Sequence, residues 1–166
     1  MPPKPQTPGS TPDAAPAPDA VPRTLDLLAE GVRLFEDGRV EVGERRMTDD
    51  PGAWQLATFA VRTDADVHAD HWEMHPGAQE VVAVLSGGPV RFTLRAQPDP
   101  SDGSPLPAVT TVLTENRAVV VPRGRWHRLS LDAPATLMSV TLRRGTVVEK
   151  VRAEEGDGEA TGARDA

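Results

Sequence analysis

Apolar residues in this chain come in short runs, most of them alternating with polar ones, and Gly, Pro, Asn or Asp break the runs. A period of two is the pattern of a strand that buries one face, because successive side chains point to opposite sides. The runs VRLF (32–35), RVEV (39–42), AWQLATFAVR (53–62), HWEMH (71–75), QEVVAVLS (79–86) and VRFTLRA (90–96) read as strands. So do VTTVLT (109–114), AVVV (118–121), WHRLSL (126–131), ATLMSVTL (135–142) and TVVEKV (146–151). QPDPSDGSPLP (97–107) reads as a loop. RTLDLLAEG (23–31) is the one stretch that reads as a helix, capped by Thr24 and ended by Gly31. Many short strands with turn residues between them predict an all-β protein, and their number favours a double-sheet jelly-roll barrel.

Alternation also assigns faces. In HWEMH, His71, Glu73 and His75 share one face, and Trp72 and Met74 the other. In QEVVAVLS, Glu80 lies with Val82, Val84 and Ser86, opposite Val81, Ala83 and Leu85. Both faces of that strand are apolar, so its outer side needs a cover: another sheet, the 23–31 segment or a second subunit. Trp72 and Met74 on the outer side lead us to expect a homodimer.

Composition narrows the picture. The chain has 166 residues, a length that suits one domain. Residues 2–22 hold eight prolines among small polar residues, a composition that cannot bury enough apolar area to offset its ordering entropy. The expected organisation is a disordered arm over 1–22, a β-barrel domain over 23–151 and a disordered acidic tail over 152–166. There is no cysteine, which excludes disulfides, thiolate metal sites and a Cys nucleophile. The net charge is −7 and no element concentrates Lys and Arg, so no nucleic-acid partner is expected. No apolar run approaches a membrane span, and no apolar leader opens the chain, so the expected location is cytoplasmic. The Ala/Arg/Val/Asp/Pro bias points to a high-GC bacterial source.

Candidate chemistry sits in two places. The first is HWEMHPGAQE, where Glu73, His75 and Glu80 lie close together. The second is VVVPRGRWHRL (119–129), where Pro122 fixes φ, Gly124 can take a positive φ, and the turn re-aims the chain so that His127 opens a strand. Together these stretches resemble the two motifs of the cupin family. The first motif runs Gly, five residues, His-x-His, three or four residues, Glu, six residues, Gly; His75, Glu80 and Gly87 match it. The second runs Gly, five residues, Pro-x-Gly, two residues, His, three residues, Asn; Pro122, Gly124 and His127 match it. The departures are Val67 and Asn116 at the opening glycines, Leu131 at the closing Asn, and Glu73 where the first His is expected.

The resemblance implies a double-stranded β-helix, or jelly roll, that holds one metal ion on Glu73, His75, Glu80 and His127. Two imidazoles with carboxylates suit divalent Fe, Mn, Ni or Zn. Glu73 is either a fourth ligand or an unligated general acid/base. Without a metal, Glu73 and Glu80 should repel, and one should hold a proton. His71 is a further candidate, placed at the barrel mouth as a proton shuttle. His68 is expected to be exposed, Trp72 and Trp126 to serve packing, and the Arg91/Arg95 face to be solvated. The expected function is a metal-dependent enzyme acting on a small organic molecule, with oxygenase, isomerase, cyclase and decarboxylase all open. The alternatives are a non-catalytic small-molecule-binding or sensor cupin, and a metal-free structural barrel.

Overall fold

The structure is a computed structural model that describes residues 22–45 and 52–152. All but the innermost residue of the expected arm and of the expected tail lies outside the described residues. Thirteen strands follow in chain order: β1 (Glu30–Phe35), β2 (Val40–Glu44), β3 (Ala53–Val61), β4 (His71–Met74), β5 (Glu80–Gly87), β6 (Val90–Leu94), β7 (Gln97–Pro98), β8 (Pro105–Leu106), β9 (Val109–Leu113), β10 (Arg117–Val121), β11 (His127–Leu131), β12 (Ala135–Thr141) and β13 (Val147–Lys150). One sheet has the order β10-β5-β12-β3-β1-β2 and the other β13-β4-β11-β6-β9; β7 and β8 form a small hairpin within the long loop. Every pairing is antiparallel. This is the expected all-β, double-sheet jelly roll.

The two sheets bury their inward faces against each other. Val61, Val82, Val84, Ala135 and Leu137 from one sheet meet Val90, Phe92 and Leu113 from the other. This core fills one part of the space between the sheets and leaves the ends of β4, β5 and β11 around a cavity. The β5–β6 connection needs glycine. Gly87 has φ +74, and a Cβ there would run into the Pro134 carbonyl oxygen. Pairing of β5 with β12 slips between Thr136 and Leu137, which leaves Leu85 unpaired and exposed.

One expectation needs correction. Residues 23–31 form no helix. Asp26 ends the local chain in one turn, with its carbonyl accepting from Ala29 and Glu30 and its carboxylate from the Leu28 amide, and Glu30 already opens β1. Leu27 and Leu28 stay exposed, so no buried face offsets the cost of nucleating so short a helix. Trp72 serves packing, as expected: it is 5% exposed, with the Arg128 and Arg95 guanidinium groups 4.8 Å and 5.8 Å from its ring centroid. Among the described residues no helix is long and apolar enough to cross a membrane.

Candidate metal centre

The two motifs meet because the strands that carry them are neighbours. β4 and β11 lie side by side, with Glu73 opposite His127. Glu80 opens β5 in the other sheet and is buried between the two. His75 follows β4, and its carbonyl accepts a hydrogen bond from the Gly124 amide at 3.0 Å. That bond ties the Pro122-x-Gly124 turn to the first motif, and Gly124 takes φ +76 there. Asn116, in place of the second motif's opening glycine, takes the left-handed conformation with φ +60.

Both imidazoles are buried, and their outer nitrogens are fixed. His75 Nδ1 lies 2.8 Å from Thr146 Oγ1, whose hydroxyl donates to the Arg143 carbonyl at 2.9 Å. The hydroxyl proton is spent on that carbonyl, so His75 Nδ1 carries a hydrogen and donates it. His127 Nδ1 lies 3.2 Å from the Arg125 carbonyl, which only accepts. In the neutral form of each ring Nε2 is therefore the nitrogen without a hydrogen, the tautomer that metal-binding histidines adopt. Phe92 stacks on His127 with centroids 5.5 Å apart.

Both Nε2 atoms face Glu80. Its Oε2 lies 3.3 Å from His75 Nε2 and 3.0 Å from His127 Nε2, while Oε1 accepts from Thr141 Oγ1 at 2.5 Å. Burial alone pushes the Glu80 carboxyl up, but the neighbouring His127 and His75 rings outweigh it and hold the group far below the usual carboxylate range. Burial pushes His127 down, yet the Glu80 carboxylate beside it outweighs burial and raises it above the ordinary imidazole value. The expected repulsion between Glu73 and Glu80 is not the arrangement found. The His75 and His127 rings flank Glu80, and Arg143 Nη2 pairs with Glu73 Oε1 at 3.0 Å.

The residues fit a divalent cation. Glu73, His75 and His127 bring one ligand atom each within 4.8 Å of one another, and Glu80 Oε2 is nearer still to both imidazoles. His75 Nε2 and Glu80 Oε2 are buried without a well-directed hydrogen bond. A buried lone pair aimed at a buried carboxylate is an unfavourable contact that a shared cation relieves. The nitrogen and oxygen donor set matches divalent Fe, Mn, Ni or Zn.

The carboxylates differ in access. The Glu73 side chain is 31% exposed and that of Glu80 6%. Glu73 lines a cavity of about 650 Å³ whose walls include Phe59, Val61, Val82, Leu129 and Leu137, with Arg143 beside Glu73. His71 lines the same cavity, with Nδ1 2.8 Å from Asp70 Oδ1, so it stands near the site without joining the metal group. His68 is exposed as expected but also lines the cavity, from a left-handed position after the 3-10 turn Asp64–Val67. Sequence reasoning missed Arg143, Thr141 and Thr146. Nothing local marks them: Thr146 meets His75 across 71 positions.

No family model and no curated protein matches the chain. Among solved structures it is similar to an oxalate oxidase in complex with the substrate analogue glycolate (15% identity, TM-score 0.40, 75% of this chain and 59% of that one). It is also similar to a mutant of the oxalate decarboxylase of Bacillus subtilis (20% identity, TM-score 0.38, 59% of this chain and 23% of that one). A third is a hydroquinone 1,2-dioxygenase in complex with Cd2+ and 4-hydroxybenzonitrile (18% identity, TM-score 0.38, 53% of this chain and 56% of that one). At these identities and TM-scores the chemistry of the site has to be read from its own geometry. Sheet order and the meeting of His75, Glu80 and His127 between the sheets bear out the resemblance to cupins.

Proposed function

We propose that this protein is a metal-dependent enzyme acting on a small organic molecule. The observation that carries the reading is the convergence of two imidazoles, each with Nδ1 engaged, on the buried Glu80 carboxylate. His75, His127 and Glu80 hold one divalent Fe, Mn, Ni or Zn ion. The ion supplies Lewis acidity to a substrate oxygen or brings dioxygen chemistry to the substrate. Glu73 is the carboxylate that a molecule in the cavity reaches, and it takes or gives the proton. Arg143 orients Glu73 through Oε1. Phe59, Val61, Val82, Leu129 and Leu137 give the cavity apolar walls. Oxygenase, isomerase, cyclase and decarboxylase chemistry all use such a set.

Metal analysis of protein purified without added metal tests this. The expected content is about one first-row ion per chain, lost in His75→Ala and in His127→Ala. A metal-free chain whose melting ignores both chelator and added Fe, Mn, Ni or Zn sinks the reading.

A further inference from the structure

The cavity and its floor also specify what enters. The floor, where Arg143 pairs with Glu73, holds the carboxylates of Glu73 and Glu80, and the lining also includes Asp66 and Arg128. With a divalent cation on neutral imidazoles and both carboxylates ionised, the floor carries one net positive charge; Asp66 and Arg128 in the lining offset each other, and Phe59, Val61, Val82, Leu129 and Leu137 make much of the remaining wall apolar. An uncompensated charge next to apolar walls is costly, and one anion removes that cost. Arg143 is equipped to receive it. Its side chain is 11% exposed, and among the described residues its ion pair is with Glu73 through Nη2, one contact in a five-donor fork. A planar guanidinium fork matches a carboxylate better than it matches a single-atom anion.

Above this floor stand Phe59, Val61, Leu129 and Leu137, contributed by both sheets. A volume of about 650 Å³ lies well inside the ~300–1,000 Å³ range of sites for drug-sized molecules. A two-carbon acid would leave most of it filled with water against apolar side chains. An apolar body displaces that water, at roughly fourfold in affinity for each methylene buried.

Resting on the metal reading above, we propose that the substrate class is a monocarboxylate with an apolar body, its carboxylate held at Arg143 beside the metal group and its body against Phe59, Val61, Leu129 and Leu137. The acid is amphipathic and larger than oxalate or acetate.

Calorimetric titration of the zinc-loaded protein with hexanoate, acetate and hexylammonium tests this, with metal content measured on every sample. Hexanoate is expected to bind at least tenfold more tightly than acetate, and hexylammonium not at all. Arg143→Gln should weaken hexanoate tenfold or more while zinc stays bound, and Arg143→Lys should fall between. Val148→Trp narrows the cavity from an exposed position and should weaken hexanoate more than acetate, which keeps the test open if the Arg143 variants misfold. Equal binding of acetate and hexanoate, binding of hexylammonium, or a zinc-loaded Arg143→Gln that holds hexanoate as well as the parent overturns the proposal. A chain that holds zinc and ignores hexanoate overturns this proposal alone. A chain that takes hexanoate through Arg143 but never holds a metal overturns the metal reading and leaves the Arg143 anchor standing.

Discussion

Arg143 Nη2 lies 3.0 Å from Glu73 Oε1, and the same oxygen lies 3.8 Å from His75 Nε2. Glu73 Oε1 is therefore shared between the Arg143 guanidinium and the side of the cluster nearest His75. Glu80 sits closer to both imidazoles and is far less exposed. Under the proposed function, Glu80 is the ligand and Glu73 the acid/base.

The division is measurable without a substrate. Glu80→Gln removes the charge between the two imidazoles and should lower metal affinity on the order of a hundredfold or more, since it removes a ligand. Glu73→Gln should change metal affinity by less than about tenfold, because its carboxylate is already compensated by Arg143. Titration of both variants with zinc decides it. Equal losses would make Glu73 a ligand and remove it from the acid/base role.

The Glu80–His127 contact sets a pH dependence. His127 is raised above its unfolded value of 6.5, so its contribution to stability is complete below about pH 6.5 and is lost as pH rises through the folded value. Glu80 is lowered from 4.5, so its contribution is present above about pH 4.5 and is lost as pH falls through the folded value. Chelator-treated protein should therefore be most stable between roughly pH 4.5 and 6.5 and weaken toward alkaline pH. Metal must displace the proton from His127, so metal affinity should rise up to tenfold per pH unit until His127 is neutral. Melting curves across pH, with chelator and with zinc, should show opposite slopes above pH 6.5. Parallel curves would mean that proton and metal do not compete at His127.

How much of this was legible in the sequence depends on how local the signal is. Period-two alternation put Glu73 on the inward face of its strand, and the motif spacing brought His75, Glu80 and His127 together. Gly124 was legible because a positive φ has few residue types to choose from. Arg143, Thr141 and Thr146 were not, since an Arg or Thr at a strand end looks the same whether or not a buried acid or imidazole lies across the barrel. Trp72 packs as expected, though only the fold brings Arg95 and Arg128 over the ring. The 23–31 segment failed because helix signals there were local and weak, while pairing with β2 and β3 claimed Glu30 onward.

Gly87, the closing glycine of the first motif, should matter for stability rather than for metal. Gly87→Ala places a Cβ against the Pro134 carbonyl oxygen at a positive φ. Gly38→Ala is the control, with φ +84 and open space around it. The control pays for backbone conformation alone, on the order of 1 kcal/mol. Gly87→Ala should cost about 1–3 kcal/mol more through the forced shift of backbone. Urea melts of the two variants check this, and equal midpoints would remove the close approach as the reason for glycine.

Thr146 gives the sharpest test of the tautomer argument. Its hydroxyl donates to the Arg143 carbonyl and accepts from His75 Nδ1, which leaves His75 Nε2 open. Thr146→Val keeps the shape and removes the acceptor. His75 is then free to carry its hydrogen on Nε2, next to Glu80 Oε2, and that tautomer cannot bind a metal through Nε2. Metal affinity should fall about 10–100-fold, the usual effect of losing a partner behind a ligating histidine. Thr146→Ser retains a hydroxyl and should recover most of it. Melting of the metal-free variants should differ little, because the new Nε2–H···Oε2 bond replaces the one lost. If Thr146→Val binds zinc like the parent, the Nδ1 contact does not hold the ring, and the His75 tautomer is set elsewhere.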